Sequence, residues 1–325
     1  MTATDIGSAA AVLRRTAAEI WRFVMRVFVT GASGFIGSAV IPELIKAGHQ
    51  VVGLARSDAA AAAVQAIGAR PLRGSLEDLD VLRAGTEAAD GVIHLGFIHD
   101  FDNFARSVEV DRAAIETIGS TLAGSDRAFI TAAGLIGAPS GRVLTERDKF
   151  DSITATSPRL ANVQAAVAFA ERGVRTSAVR FAPTVHGEGD HGFIKQLVEI
   201  ARKKGVSGYV GDGSNHWPAV HRFDAADLVR RGLEKAPAGS YLHATAEQGV
   251  PIREVAEVIG RHLNVPLVSV APQDAVEHFG WLGGFIGADA LVSNELTREL
   301  LDWQPTHPGL IDDLEKGHYF HHEAA

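Results

Sequence analysis

The chain has 325 residues, 46% of them hydrophobic and 22% charged, an ordinary globular mix able to bury a sizeable core in one large domain or two small ones. A formal net charge of −8 with no Lys/Arg block argues against a nucleic-acid or anionic-membrane partner, because a phosphate-binding surface needs a basic face. Cysteine is absent, which excludes disulfide and thiol chemistry; a cytoplasmic protein is expected.

No apolar run is long enough to span a bilayer. Residues 1–24 read as an N-terminal extension. Its stretch "AAAVLRRTAAEIWRFV" carries Arg14, Arg15, Glu19 and Arg22, lacks the clean apolar region of a signal peptide, and suits a short amphipathic helix. Met25, directly before the first strand, is an equally good natural start.

From there strands and helices alternate. Arg26–Thr30 is a β-branched and aromatic run, hence a buried strand, and Ile36–Ala47 has helical spacing closed by Gly48. Gln50–Ala55 predicts a second strand, Asp58–Ile67 an alanine-rich helix, Pro71–Leu72 a third strand and Leu79–Glu87 a helix. Gly91–Leu95 is a fourth strand, Phe101–Leu122 a long helix and Ala128–Thr131 a fifth strand. Asn162–Arg172 is helical and Thr176–Phe181 a sixth strand. This rhythm predicts an α/β fold, a doubly wound parallel Rossmann sheet over 25–183. After Pro183 the rhythm breaks. A smaller, mostly helical substrate lobe is expected over 184–325, with short strands near Gly208–Val210, Ser240–His243 and Leu267–Val270, and some segments could return to the sheet.

Gly31, Gly34 and Gly37 stand at G-x-x-G-x-x-G spacing between a strand and a helix. Glycine is needed where the backbone turns tightly and where a side chain would keep a pyrophosphate away. The helix N-terminus then offers free N–H groups to the phosphates. A dinucleotide site is expected. At the end of the second strand, where an NAD-preferring site places Asp or Glu, this chain has Arg56 and Ser57. A guanidinium pairs with a 2′-phosphate and a serine hydroxyl can donate to it, so NADP is expected over NAD, with Asp58 nearby as the opposing feature.

The segments "TGASGFIG", "GVIHLGF", "VRFAPTVHGEGD", "VGDGSNHWPAVHRFDAADL" and "TRELLDWQPT" occur in an order that resembles the extended short-chain dehydrogenases/reductases, the NAD-dependent epimerase/dehydratase family. The resemblance runs from about Arg26 to about Glu315. It implies that Ser33, Phe35 and Ile36 lie in the pyrophosphate turn. Leu95, Gly96 and Phe97 would lie along the ribose and adenosine side, and Pro183, Thr184 and Val185 under the nicotinamide. Ser75 falls where the family often has Asp beside the adenine.

The same family works with a Tyr and a Lys four residues apart on the helix after the fifth strand. The lysine lowers the tyrosine's pKa so that the phenol can exchange a proton with the substrate oxygen. The window "TSPRLANVQAAVAF" contains neither residue; the tyrosines are Tyr209, Tyr241 and Tyr319. The chain therefore resembles an atypical subgroup. Thr131 is the remaining donor on the fifth strand, for substrate and cofactor alike, and His186, where the family has a Tyr past the nicotinamide wall, is the candidate proton donor. Arg159 and Asn162 lie in the dyad window and could polarise a carbonyl. His221 with Asp224 reads as lobe packing. No ligand spacing points to a metal, and no G-x-S-x-G elbow is present.

Three functions fit. The leading one is an NADP-dependent oxidoreductase acting on a carbonyl or alcohol with a non-standard proton donor. The others are a catalytically silent NADP-binding redox sensor acting through a protein partner, and a nucleotide-sugar epimerase that keeps its cofactor. The partner expected for an enzyme is a small-molecule substrate. The alanine-rich face Ala161–Ala170 would allow a homodimer.

Overall fold

The computed structural model describes residues 24–100, 103–135, 142–148 and 158–321. The expected N-terminal helix lies outside these, as do Thr156 and Ser157 of the dyad window. The first half contains β1 (Arg26–Thr30), α1 (Gly37–Lys46), β2 (Gln50–Ala55), α2 (Asp58–Ala66), β3 (Arg70–Arg73) and α3 (Leu79–Glu87). It continues through β4 (Gly91–His94), α4 (Phe104–Leu122), β5 (Ala128–Gly134), β6 (Val143–Leu144), α5 (Arg159–Ala168) and β7 (Arg175–Phe181). The second half holds β8 (Thr184–His186), α6 (Phe193–Lys204), β9 (Ser207–Val210), β10 (His216–His221), α7 (Arg222–Lys235), β11 (Ser240–Ala244) and β12 (Glu247–Pro251). Then come α8 (Ile252–Leu263), β13 (Leu267–Val270), α9 (Ala275–Phe279), β14 (Leu291–Val292), α10 (Glu295–Leu301) and α11 (Leu310–Glu315).

Seven strands form one parallel sheet in the order β11-β7-β5-β4-β1-β2-β3. Its central strands are apolar runs because both faces are covered, and Val27, Phe28 and Val29 are all fully buried. On one face α1 and α7 pack through Val40, Leu44, Leu228 and Val229; on the other, α3 and α4 pack through Leu82, Ile115 and Ile118. Gly119 of α4 lets that helix approach the turn after α5, since a Cβ there would lie 2.3 Å from the Phe169 ring. Strand order reverses between β1 and β4, which opens a crevice at the carboxyl ends of these two strands.

The lobe has its own apolar core, including Ile194, Trp217, Val255, Ile259 and Leu314. A three-stranded sheet, β12-β10-β8, and a two-stranded pair, β13-β9, brace it. The chain does return to the large sheet, since β11 forms its edge beside β7. Among the described residues no helix is long and apolar enough to cross a membrane.

Candidate active site and cofactor cleft

The glycine turn is built as a cradle. Gly31 has a φ of +68°, and a Cβ on it would lie 2.7 Å from the Gly96 nitrogen, so the turn presses on the chain leaving β4. A Cβ on Gly37 would lie 2.1 Å from the Gly31 carbonyl oxygen, which fixes how closely α1 starts behind the turn. Helix α1 has no side-chain cap and no acidic residue in its first turn. The N–H groups of Phe35 and Ile36 find no acceptor among the described residues. Open amides at a helix start fit a pyrophosphate. Ser33 and Gly34 are exposed at the rim. Arg222, from the start of α7, closes one side. Its guanidinium lies 4.6 Å from the Phe35 ring centre and donates to Ser38 Oγ at 3.0 Å.

At the far end of β2, Arg56 is exposed and Ser57 caps α2, its hydroxyl accepting from the Ala60 N–H at 3.1 Å. Arg73, at the end of β3, donates to the Ala55 carbonyl at 3.2 Å and pairs with Asp58 at 3.2 Å. Sequence reasoning missed Arg73, because only the β2–β3 register, which sets Ala55 beside Arg73, brings it to this corner. Ser75 N–H and hydroxyl both bond Asp78 and hold its carboxyl below the usual range.

Beneath the crevice runs a buried polar chain. Gly96 N–H donates to Thr30 Oγ1 at 3.1 Å, and that hydroxyl lies 2.7 Å from His94 Nδ1. His94 Nε2 lies 3.2 Å from Asp111 Oδ1, and Asn162 donates to Asp111 Oδ2 and to the Val108 carbonyl, each at 2.8 Å. One tautomer satisfies every partner: Thr30 donates to Nδ1, and Nε2–H donates to the carboxylate. The network fixes Gly96 against Gly31. It also uses both oxygens of Asp111 and both Asn162 N–H donors, so Asn162 does not stand in for the lysine.

Thr131, in register with His94, is buried, and its Oγ1 has no hydrogen-bond partner among the described residues. Arg159, at the start of α5, has its guanidinium 4.0 Å from the Phe97 ring centre. Leu95 and Phe97 are partly buried along this wall. Pro183 and Val185 are partly buried past β7, whereas the Thr184 hydroxyl turns away to the Pro218 carbonyl.

The structure does not bring His186 together with Thr131. His186 is fully buried, with Nδ1 3.0 Å from Asp313 Oδ2 of α11 and its ring against His221. A proton donor has to reach substrate, and this ring instead ties β8 to α11. Burial would raise the Asp313 carboxyl, but His186, His318 and Lys316 together hold it below the usual range. His221 packs in the lobe, stacked on His307, but the expected partner Asp224 goes to His307 instead, at 2.8 Å, while His221 Nδ1 accepts from the Phe223 N–H. None of the three tyrosines replaces the missing one. Tyr319 is buried with its hydroxyl on Asp190, Tyr241 stacks under Arg180, and Tyr209 lies on β9 in the lobe.

Comparison with known proteins places the chain. Residues 27–121 match the family model for the NAD dependent epimerase/dehydratase family. An uncharacterised protein of Schizosaccharomyces pombe is 46% identical over 297 residues, 91% of this chain and 100% of that one. A ketoreductase of Stigmatella aurantiaca, acting on 4-hydroxy-2-methyl-3-oxo-4-farnesyl-3,4-dihydroquinoline-1-oxide, is 28% identical over 240 residues, 70% of each chain. Among solved structures, the dTDP-glucose 4,6-dehydratase of Streptomyces venezuelae with NAD bound superposes with a TM-score of 0.72 at 18% identity, covering 90% of this chain and 96% of that one. Glycine cradle, crevice and relatives agree: the chain belongs to the NAD-dependent epimerase/dehydratase family of NAD(P)-dependent extended short-chain dehydrogenases/reductases, in an atypical form that lacks the Tyr/Lys dyad.

Proposed function

We propose that the protein is an NADP-preferring oxidoreductase that interconverts a small-molecule carbonyl and its alcohol. The observation that carries the cofactor preference is the pair Arg56 and Arg73 at the ends of β2 and β3, where the neighbouring acid, Asp58, is already engaged by Arg73. Two guanidiniums suit a 2′-phosphate; a ribose hydroxyl needs neither. A bound nicotinamide would supply the redox chemistry, and the protein's part is to bind, orient and polarise. The amides at the start of α1 hold the phosphates, and Gly31 and Gly96 let the turn and the chain leaving β4 pack closely. Thr131 Oγ1, which no described residue engages, donates to the substrate oxygen. With His186 buried, the proton comes from water admitted to the cleft. The reductase relative supports carbonyl chemistry.

Titration with NADPH and NADH, followed by reduced-nicotinamide fluorescence, tests the reading. NADPH is expected to bind at least about tenfold more tightly, by the strength of a charge-assisted pair. Equal affinities would overturn the preference. The same samples, screened for NADPH oxidation over ketones and aldehydes, test the reaction. The missing dyad favours a second reading, an NADP-binding redox sensor, whose signature is tight NADPH binding with no oxidation on any carbonyl. Cofactor retained through purification would instead favour an epimerase.

A further inference from the structure

We propose that Arg159 is an anion-binding residue of this site and that the substrate is an oxo acid, with a carboxylate beside the carbonyl that meets Thr131. The inference rests on the oxidoreductase reading and names the substrate class for it. Arg159 sits at the start of α5, in the window where the dyad would stand. Its Nε is buried and no described residue accepts a hydrogen bond from it. Its guanidinium is stacked on Phe97, in the segment that leaves β4. Among the described residues the acid whose charge acts on it is Asp111, and both of that residue's oxygens are taken, one by His94 and one by Asn162.

Burial lowers the pKa of Arg159 and Asp111 opposes that; the guanidinium remains a cation, and no described residue forms an ion pair with it. Partial desolvation, then the charges of Arg159 and His191, lower the pKa of His99. A desolvated, planar fork of donors is matched by a planar pair of anionic oxygens. Thr131 offers a second donor with no partner among the described residues. It pairs with His94 in the sheet, and His94 reaches through Asp111 to Asn162, one turn along α5 from Arg159. One hydroxyl for a carbonyl oxygen and one guanidinium for a carboxylate together describe a 2-oxo or 3-oxo acid.

The test uses the full-length protein without cofactor and oxalate as the probe. Phenylglyoxal labelling at Arg159, read by peptide mass spectrometry, is expected to slow when oxalate is present. Calorimetry is expected to show oxalate bound about tenfold or more tightly by the wild type than by Arg159→Gln, with Arg159→Lys keeping part of the affinity. Equal oxalate affinity in wild type and Arg159→Gln overturns the proposal. Protection of Arg159 by NADPH alone also overturns it, because the arginine then serves the cofactor. Should the glutamine variant fail to fold, unchanged labelling of the wild type in oxalate is by itself the overturning result. NADPH affinity measured in parallel separates the two readings: its loss in the wild type sinks the oxidoreductase assignment, whereas the oxalate result decides Arg159.

Discussion

In the proposed reading, single side chains set both selectivity and turnover. Arg73→Ala removes a guanidinium anchored on the Ala55 carbonyl, so NADPH affinity is expected to fall about tenfold while NADH affinity stays constant. Fluorescence titration with both cofactors reads the difference, and an equal loss for both would show that Arg73 does not read the 2′-phosphate. Thr131→Val keeps the shape and removes the hydroxyl. With no partner among the described residues to lose, Thr131 Oγ1 should act only on substrate: kcat is expected to fall about tenfold to a hundredfold, with NADPH Kd unchanged. Stopped-flow turnover beside equilibrium titration separates these effects.

At the scale of elements, the site is where β1, β4 and β5 end and α1 and α5 begin. Gly37→Ala would set a Cβ against the Gly31 carbonyl, so the turn must open and NADPH binding is expected to disappear while the far-UV circular dichroism remains native. Gly119→Ala drives a methyl into the Phe169 ring and should lower stability by about 1–3 kcal/mol, read by urea denaturation. Most of this scaffold was legible in the sequence. Buried parallel strands are short apolar runs, and Gly31 to Gly37 announce the turn. Boundaries moved where tertiary context decides: β5 runs on to Gly134 because β7 pairs with it throughout, and α5 begins at Arg159 and passes into a 3-10 turn over Phe169–Arg172. The strand His216–His221 was hidden by Pro218 and by its polar ends, and it becomes a strand only between β8 and β12. Arg73 and the Thr30–His94–Asp111–Asn162 chain were illegible for another reason. Their partners are 15 to 66 residues apart and meet only through register and helix docking.

At the scale of the whole molecule, two buried histidines tie stability to pH. His243, on β11, accepts from Arg180 at 3.2 Å through Nε2 and faces the Ser293 carbonyl at 2.7 Å through Nδ1, which requires the neutral ring. Burial is the main cause that lowers both His243 and His221 from 6.5 to about 4. Between those values the unfolded chain holds protons that the native state refuses, so stability is full above about pH 6.5 and falls as pH drops toward 4. Each such proton contributes up to about 1.4 kcal/mol per pH unit. His243→Gln should flatten the acid limb of a Tm-against-pH curve by about one proton; an unchanged slope would show that His243 does not titrate there. Strand β11 has a further consequence. The chain leaves the large sheet at Pro183, returns to it with α7 and β11, and leaves again at Thr245. The lobe is thus woven in and cannot be treated as a detachable cassette. A fragment ending at Pro183 would bare β7 as an edge and strip Arg180 of its histidine, so exchanging the lobe to obtain a new specificity demands grafts at several junctions that preserve β11.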